Sequence, residues 1–221
     1  MLASLFTGLS ILLVGDSHLA APDYLITTLQ DDLVKQGAQV QTIGVCGSNA
    51  GDWLKTTPGN CGGAVRTNAG PVQLKGKDAQ TTPITELIAK QKPQLVVIVL
   101  GDTMAGYSNA SFPKTWAWQQ TTALTKAIAG TGTACVWVGP GWGTEGGKYN
   151  KNFARVKQMS AFLASNVAPC AYIDSTQFSK PGAWATTDGQ HYTAAGYKAW
   201  GDAIAKQLTT LPVVQALQKK P

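Results

Sequence analysis

Short apolar runs alternate with segments of helical periodicity along almost the whole chain. The run Gln94–Leu100 (QLVVIVL) is apolar throughout except at its first residue, which is typical of a strand buried on both faces of a parallel sheet. The segment Asp23–Gln36 carries apolar residues at helical spacing and is followed by Gly37, which predicts a helix and its end. Further strands are predicted at Leu12–Gly15, Gln39–Val45, Ala134–Val138 and Ala171–Ile173, and further helices at Pro83–Lys90, Pro113–Ala129, Tyr149–Ser165 and Ala194–Leu208. Five strands separated by helices predict a three-layer α/β/α sandwich around a five-stranded parallel sheet.

The remaining segments connect or extend these elements. Residues Cys46–Lys77 are rich in Gly, Asn, Thr and Pro, which predicts a long loop region. The segment Gln215–Pro221 is predicted to be a frayed tail. No internal repeat, low-complexity tract or linker divides the 221 residues. We therefore predict a single domain over residues 1–221, with a core at about 11–208 and a C-terminal tail at 209–221.

Composition excludes several classes of protein. Hydrophobic residues make up 44% of the chain and charged residues 14%, which excludes a disordered protein and a coiled coil. The formal net charge of +6 suits an anionic polymer or a membrane surface, but no Lys/Arg cluster with interleaved aromatic residues indicates nucleic-acid binding. No apolar run approaches the roughly 20 residues of a membrane span. The first ten residues, MLASLFTGLS, lack the basic n-region and the length of a signal peptide, so we expect that an export signal has been removed.

The four cysteines, Cys46, Cys61, Cys135 and Cys170, show none of the CxxC spacings of zinc or redox sites. Because the chain has only two histidines, we expect no metal site, and no motif calls for a cofactor. The even count favours two disulfides and a periplasmic or secreted protein, whereas four buried thiols in a cytosolic protein are the alternative. Cys135 and Cys170 each lie four residues before a strand-end residue of adjacent parallel strands, so we predict that they pair. A Cys46–Cys61 disulfide would close a short loop.

Small and polar residues follow each predicted strand. They are Gly15-Asp16-Ser17-His18, Gly44-Val45-Cys46-Gly47-Ser48-Asn49, Gly101-Asp102-Thr103, Gly139-Pro140-Gly141-Trp142 and Asp174-Ser175-Thr176, and Asp188-Gly189-Gln190-His191 precedes the last helix. Ligands of such sheets bind beyond the carboxyl ends of the strands, so the chemistry is predicted at this edge.

A serine nucleophile needs a base and an acid that orients the base. His18 adjoins Ser17, and neighbouring side chains at a strand end point apart, so His18 is poorly placed to take the serine proton. His191 has Asp188 three residues before it, a spacing at which the carboxylate can accept from Nδ1 and leave Nε2 facing the serine. Alone, a serine after a strand is usually a helix cap, and an Asp-x-x-His segment is usually an exposed surface segment without a catalytic role. Their joint position at one edge of the sheet favours catalysis.

The same residues resemble the motifs of a known family. Gly15-Asp16-Ser17 after the first strand, Gly47 after the second and Asp188-x-x-His191 near the C-terminus resemble the SGNH hydrolases, also called GDSL esterases. Val136–Pro140 and Tyr172–Ser175 are similar to the fourth- and fifth-strand segments of that family. The resemblance extends from about residue 11 to residue 208.

The resemblance implies a flavodoxin-like fold and ester hydrolysis or acyl transfer. Carried over by position, Ser17 is the nucleophile, His191 the base and Asp188 its orienting acid. The backbone N–H groups of Ser17 and Gly47 would form the oxyanion hole, because backbone donors stabilise the charge of tetrahedral intermediates.

One motif departs from the family pattern. The family usually has Gly-x-Asn after the third strand, and the Asn side chain supplies a third oxyanion donor. Here Thr103 stands at that position. A threonine hydroxyl donates one hydrogen bond but reaches less far than an amide, so the nearby Asn49 and Asn109 are alternative donors.

The chain has seven tryptophans, and exposed indole rings are natural platforms for sugars. Trp53, Trp142 and Trp184 fall in or beside loops at the catalytic edge and are predicted to bind substrate. Trp116 and Trp118 lie nearby but could instead cover the helix that carries them.

Together these features predict a secreted or periplasmic serine esterase that removes O-acetyl groups from a polysaccharide or peptidoglycan. Its partner would be the acetylated glycan, within a cell-envelope polysaccharide system. The absence of a long apolar loop argues against an acyl-chain tunnel. The alternatives are an O-acetyltransferase with the same triad, a lipase or thioesterase, and a non-catalytic glycan-binding module.

Overall fold

The computed structural model of the protein describes residues 6–218. The strands are β1 (Ser10–Gly15), β2 (Gln39–Val45), β3 (Gly63–Thr67), β4 (Gln73–Leu74), β5 (Leu95–Val99), β6 (Ala134–Val138) and β7 (Ala171–Ile173). The α-helices are α1 (Leu25–Lys35), α2 (Ile84–Gln91), α3 (Lys114–Ala129), α4 (Phe153–Asn166), α5 (Ala194–Thr210) and α6 (Pro212–Gln218). None of these helices is long and apolar enough to cross a membrane.

The helices cover both faces of one sheet, so the predicted three-layer fold is confirmed. Successive residues of a strand point to opposite faces. Leu13 and Val97 pack with α1, α5 and α6 on one face, and Leu12 and Ile98 pack with α2, α3 and α4 on the other. Because both faces are buried, the central strands consist of continuous apolar runs rather than alternating ones.

The sheet has seven strands in the order β4-β3-β2-β1-β5-β6-β7, rather than the predicted five. The five predicted strands are all present and parallel. β3 and β4 add two antiparallel strands beside β2, within the segment Cys46–Lys77 that was predicted as a loop. The backbone N–H of Cys46 donates to the Gly62 carbonyl over 2.9 Å, so the chain returns directly along β2. Both added strands are short, and β3 begins with a glycine, which conceals them in the sequence pattern.

Two predicted helix boundaries also change. α4 begins at Phe153 rather than Tyr149, because the Asn152 side chain accepts a hydrogen bond from the Arg155 N–H at 2.8 Å and caps the helix. The predicted tail is helical in its described part, where Val214 of α6 is buried in the core. Residues 219–221 of that tail and residues 1–5 of the segment MLASLFTGLS lie outside the described residues.

Both predicted disulfides are present. Cys46 pairs with Cys61 with their Cα atoms 5.2 Å apart, and Cys135 pairs with Cys170 at 4.6 Å. The second pair follows from register, since Val136 of β6 lies opposite Ala171 of β7 and the cysteines are the preceding residues. The first pair closes the connection between β2 and β3, at the edge of the sheet where the candidate site lies.

Candidate active site

Ser17, His191 and Asp188 meet at the carboxyl edge of the sheet. Ser17 begins a 3₁₀ helix directly after β1, and the other two lie in the loop before α5. His191 Nε2 is 2.7 Å from Ser17 Oγ, and His191 Nδ1 is 2.7 Å from Asp188 Oδ2. Because the carboxylate faces Nδ1, that nitrogen carries the proton and Nε2 accepts from the serine hydroxyl. This is the arrangement of a Ser–His–Asp triad.

The Asp-x-x-His turn holds its own geometry. Asp188 Oδ1 accepts hydrogen bonds from the backbone N–H groups of Gln190 and His191 at 3.0 and 2.8 Å. Gly189 has φ +95°, in the left-handed region that favours glycine, and a Cβ there would lie 2.7 Å from the Gly146 carbonyl oxygen. The turn therefore fixes the carboxylate against the imidazole before substrate arrives.

The electrostatics of the pair suit a base that is neutral near neutral pH. Burial lowers the pKa of His191 below its ordinary value, and the nearby His18 adds to this, although Asp188 opposes it. Burial alone would raise the pKa of Asp188, but hydrogen bonds from the backbone and ring of His191 outweigh it and hold that pKa below its usual range.

Two tyrosines enclose His191, and sequence reasoning did not find them. The Tyr24 ring stacks on the imidazole with centroids 5.7 Å apart, and Tyr149 meets it edge-on at 5.6 Å. Tyr24 stacks in turn on Tyr197 of α5 at 4.1 Å. Tyr24 and Tyr149 thus both pack against the imidazole. Nothing in the local sequence marks either tyrosine, because each reaches the site from a separate loop.

His18 is engaged away from Ser17, in agreement with its exclusion as the base. Its Nε2 lies 2.8 Å from Asp102 Oδ2 and its Nδ1 lies 2.8 Å from the Tyr197 hydroxyl. Asp16 is also buried, and it accepts from the His18 backbone N–H at 3.0 Å. Burial raises the pKa of Asp16 to about 6.

A buried ion pair lies behind the site. The Lys151 side chain is 0% exposed, and its Nζ donates to both carboxylate oxygens of Asp102, at 2.8 and 2.9 Å. The Tyr107 hydroxyl also donates to Asp102. Burial alone would raise the pKa of Asp102, but the Lys151 ammonium and the His18 hydrogen bond hold it well below its usual range. No sequence motif marks this pair, since Lys151 is one lysine in a glycine-rich loop.

A cavity of about 360 Å³ opens beside Ser17. Gly47 and both cysteines of the Cys46–Cys61 disulfide line it. The other lining residues are mostly polar or aromatic: Asn60, Asp102, Thr103, Gly106, Tyr107, Ser108, Asn109, Tyr149 and Gln190. None of these lining residues is Leu, Ile, Val, Met or Phe.

The candidate third oxyanion donors occupy different places. Thr103 lines the cavity, but its hydroxyl oxygen is enclosed by protein and has no hydrogen-bond partner within residues 6–218. Asn49 is not a cavity residue, because its side-chain oxygen accepts from the Gly51 N–H at 3.0 Å and caps a 3₁₀ helix. Asn109 lines the cavity, with its amide against Gly106.

The prediction of a tryptophan platform is wrong for two of its three members. Trp53 is fully buried against α2 and α3 in the core. Trp142 is 8% exposed, and its indole N–H donates to the carbonyls of Thr176 and Ser179 at 2.9 and 3.0 Å. Trp184 is half-buried against Tyr192 and is not one of the cavity-lining residues. Trp53 and Trp142 are thus covered by parts of the chain that are distant in sequence.

Comparison with known proteins supports the fold. No family model matches the sequence. The chain is 44% identical over 220 residues to Protein BcsX from Komagataeibacter xylinus, which covers 99% of this chain and 82% of BcsX. Its fold is similar to that of a peptidoglycan O-acetylesterase, with a TM-score of 0.57, 14% identity and coverage of 97% and 93% of the two chains. It is also similar to a catalytic mutant of an acetylxylan esterase from Geobacillus stearothermophilus, with a TM-score of 0.53, 13% identity and coverage of 94% and 96%.

The fold, the serine after β1 and the Asp-x-x-His turn together define the class of protein. The chain belongs to the same family as BcsX, and it has the fold of the SGNH hydrolases that its motifs resemble.

Proposed function

We propose that the protein is an extracytoplasmic serine esterase that removes O-acetyl groups from a glycan. The observation that carries the proposal is the continuous hydrogen-bonded chain from Ser17 Oγ through His191 to Asp188, with both steps at 2.7 Å. Such a chain activates a hydroxyl that is otherwise a weak nucleophile.

The reaction follows from these positions. Ser17 Oγ attacks the acetyl carbonyl carbon while His191 Nε2 takes the hydroxyl proton, and Asp188 stabilises the resulting imidazolium. The carbonyl oxygen becomes an oxyanion. Collapse breaks the bond to the sugar oxygen, which receives the proton from His191 and leaves an acetyl-enzyme. Water then attacks the acetyl carbon while His191 takes a proton from it. The bond from that carbon to Ser17 Oγ breaks, and Oγ regains the proton from His191 as acetate leaves.

Two backbone donors are proposed to hold the oxyanion. Ser17 and Gly47 both line the cavity, and neither of their N–H groups donates to a protein acceptor within residues 6–218. Gly47 has φ +84°, in the left-handed region, so this backbone orientation is available to glycine at little cost. Donors held in advance of the reaction need no reorganisation as charge develops.

The cavity favours a small acyl group on a polar alcohol. Its lining contains amides, hydroxyls and the rings of Tyr107 and Tyr149, and no aliphatic side chain that would cover a fatty acyl chain. Tyrosine rings combine an apolar face with a polar edge and take the place of the predicted tryptophans as platforms for sugar rings. Two of the solved structures with this fold are a peptidoglycan O-acetylesterase and an acetylxylan esterase, which agrees with a glycan substrate.

Location is proposed from the disulfides. Two disulfides within residues 6–218 fit an oxidising compartment, so we place the protein in the periplasm or outside the cell, within a cell-envelope polysaccharide system.

The test is acetate release from acetylated xylan and O-acetylated peptidoglycan, alongside 4-nitrophenyl esters of increasing chain length. We expect release from a glycan, a preference for acetyl over longer esters, and labelling of Ser17 by a fluorophosphonate. Transfer of acetyl to an added glycan would identify a transferase, and a preference for long chains would identify a lipase. Absence of both turnover and labelling would favour the alternative of a non-catalytic glycan-binding module.

The pH dependence of kcat/KM is predicted from His191. The imidazole must be neutral to accept the serine proton, and its pKa lies below the ordinary value of 6.5. Activity should therefore persist into mildly acidic solution and fall on an acid limb with its midpoint below pH 6.5. Tyr24→Ala exposes the ring and should move that limb to higher pH, because burial is the largest cause of the shift. A wild-type midpoint above 6.5 would contradict this assignment.

The two disulfides are predicted to differ in their effect on activity. A Cys46→Ser/Cys61→Ser variant opens a connection of 15 residues and should lose about 3 kcal/mol of unfolding free energy. It should also lower kcat, because Cys46 adjoins Gly47. The matched Cys135→Ser/Cys170→Ser variant opens 35 residues and should lose about 4 kcal/mol by the same relation, with kcat retained. Urea unfolding and ester kinetics measure both, and equal changes in kcat would argue against a role for the first disulfide.

A further inference from the structure

We propose that Asn60 supplies the side-chain amide of the oxyanion hole. It takes the role of the family's asparagine, whose position is occupied by Thr103 in this chain. The inference rests on the proposed esterase function. It assigns a catalytic role to a residue outside the recognised motifs, in the turn that precedes β3.

The amide of Asn60 lies against one of the two backbone donors. A Cβ added to Gly47 would be 2.7 Å from Asn60 Nδ2 and 3.1 Å from its Cβ and Cγ. The asparagine side chain therefore packs on the Gly47 Cα, in the space that only a glycine leaves open. Asn60 lines the same cavity as Ser17.

The backbone around Asn60 is held in place on both sides. Its N–H donates to the Cys46 carbonyl at 2.9 Å, and the next residue forms the disulfide to Cys46. Cys46 in turn directly precedes Gly47. The amide donor and the Gly47 N–H are thus carried by one cross-linked unit, which gives the preorganisation that an oxyanion hole requires.

Asn60 is also the accessible donor. Its side chain is exposed and makes no hydrogen bond to protein within residues 6–218, so its NH₂ group is free for a substrate oxygen. The Thr103 hydroxyl, by contrast, is enclosed by protein atoms. The Asn109 amide lies against Gly106, on the loop after β5 rather than beside Gly47.

The experiment compares Asn60→Ala and Asn60→Asp with the wild-type protein on 4-nitrophenyl acetate. We expect Asn60→Ala to lower kcat about 10²-fold with KM within about threefold, because the donor acts on the transition state. Asn60→Asp keeps the shape but replaces the NH₂ donor with a carboxylate oxygen, so it should lower kcat at least as much. The rate of Ser17 phosphonylation should fall in parallel, since that reaction also develops charge on oxygen.

A purely structural role for Asn60 would leave the near-isosteric Asn60→Asp variant close to wild type, and that result would overturn the assignment. So would a 10²-fold loss in Asn109→Ala with none in Asn60→Ala. Asn60 and Asn109 are both exposed, and thermal unfolding of each variant checks that it folds. A wild-type protein that neither hydrolyses esters nor is labelled at Ser17 would overturn the proposed function itself, whereas an active wild type with unaffected Asn60 variants would overturn only this inference.

Discussion

Ser17→Ala is expected to reduce kcat for ester hydrolysis on the order of 10⁵–10⁶-fold, the range found when a triad nucleophile is removed. The lost atom is the one that bonds to the acyl carbon, and no other hydroxyl lies within hydrogen-bond distance of His191 Nε2 in residues 6–218. The backbone donors proposed for the oxyanion hole survive the change, so a small residual rate over water should remain.

The triad should behave as one unit. His191→Ala is expected to cost about as much as Ser17→Ala, and the double variant should be no slower than either single one. Asp188→Asn is expected to cost less, about 10⁴-fold, because the imidazole loses its orienting acid but remains next to the serine.

Kinetics with 4-nitrophenyl acetate and fluorophosphonate labelling measure these losses. Ser165→Ala, a change at an exposed serine of α4, is the matched control and should retain full activity and labelling. Single-variant losses that multiply in the double variant would show that the residues act independently, and labelling of Ser17→Ala would place the nucleophile elsewhere.

Lys151→Met is expected to lower the unfolding free energy by about 3–5 kcal/mol, the usual cost of removing one partner of a buried ion pair. The Lys151 side chain is 0% exposed and gives two hydrogen bonds to Asp102. Without the ammonium, the carboxylate remains buried, and its donors within residues 6–218 are His18 and Tyr107. Domains are stable by roughly 5–15 kcal/mol in total, so the loss would be a large share of the stability.

Denaturant unfolding at neutral pH measures the effect. Lys126→Met, at an exposed lysine of α3, is the control and should leave the midpoint unchanged. The loss in Lys151→Met should change little with added salt, since a buried pair is screened much less than a surface pair. A decrease below about 1 kcal/mol would indicate that the pair contributes no more than an exposed one.

The same variant should also impair catalysis. Lys151 closes the turn that starts at Gly146, with backbone hydrogen bonds of 2.7 and 3.0 Å between these residues. Within that turn, the Lys148 N–H donates to the Asp188 carbonyl at 2.9 Å. The buried pair therefore joins the loop after β5, which lines the cavity, to a turn that is hydrogen-bonded to the loop of Asp188 and His191.

Local pattern in the sequence was enough to predict the central sheet and the triad. A strand buried on both faces must be apolar along its length, which made Gln94–Leu100 recognisable without any structure. The order of the strands then placed Ser17 and the Asp188–His191 turn at one edge, because parallel strands end on the same side. Register alone predicted the Cys135–Cys170 pair.

Tertiary structure decided which side chains are exposed, which are buried and which meet across the chain. Trp53 and Trp142 carry the indole rings of a sugar platform, but Trp53 is buried against α2 and α3, and Trp142 is bonded to carbonyls more than 30 positions away. Lys151 pairs with Asp102 across 49 positions of sequence, and Tyr24 and Tyr149 reach His191 from two different loops. A residue's sequence neighbours determine its backbone preference, whereas its burial and its partners depend on how distant surfaces pack together. For this reason the triad is evident in the sequence, and the surroundings that give it a buried base and a polar cavity are evident only in the fold.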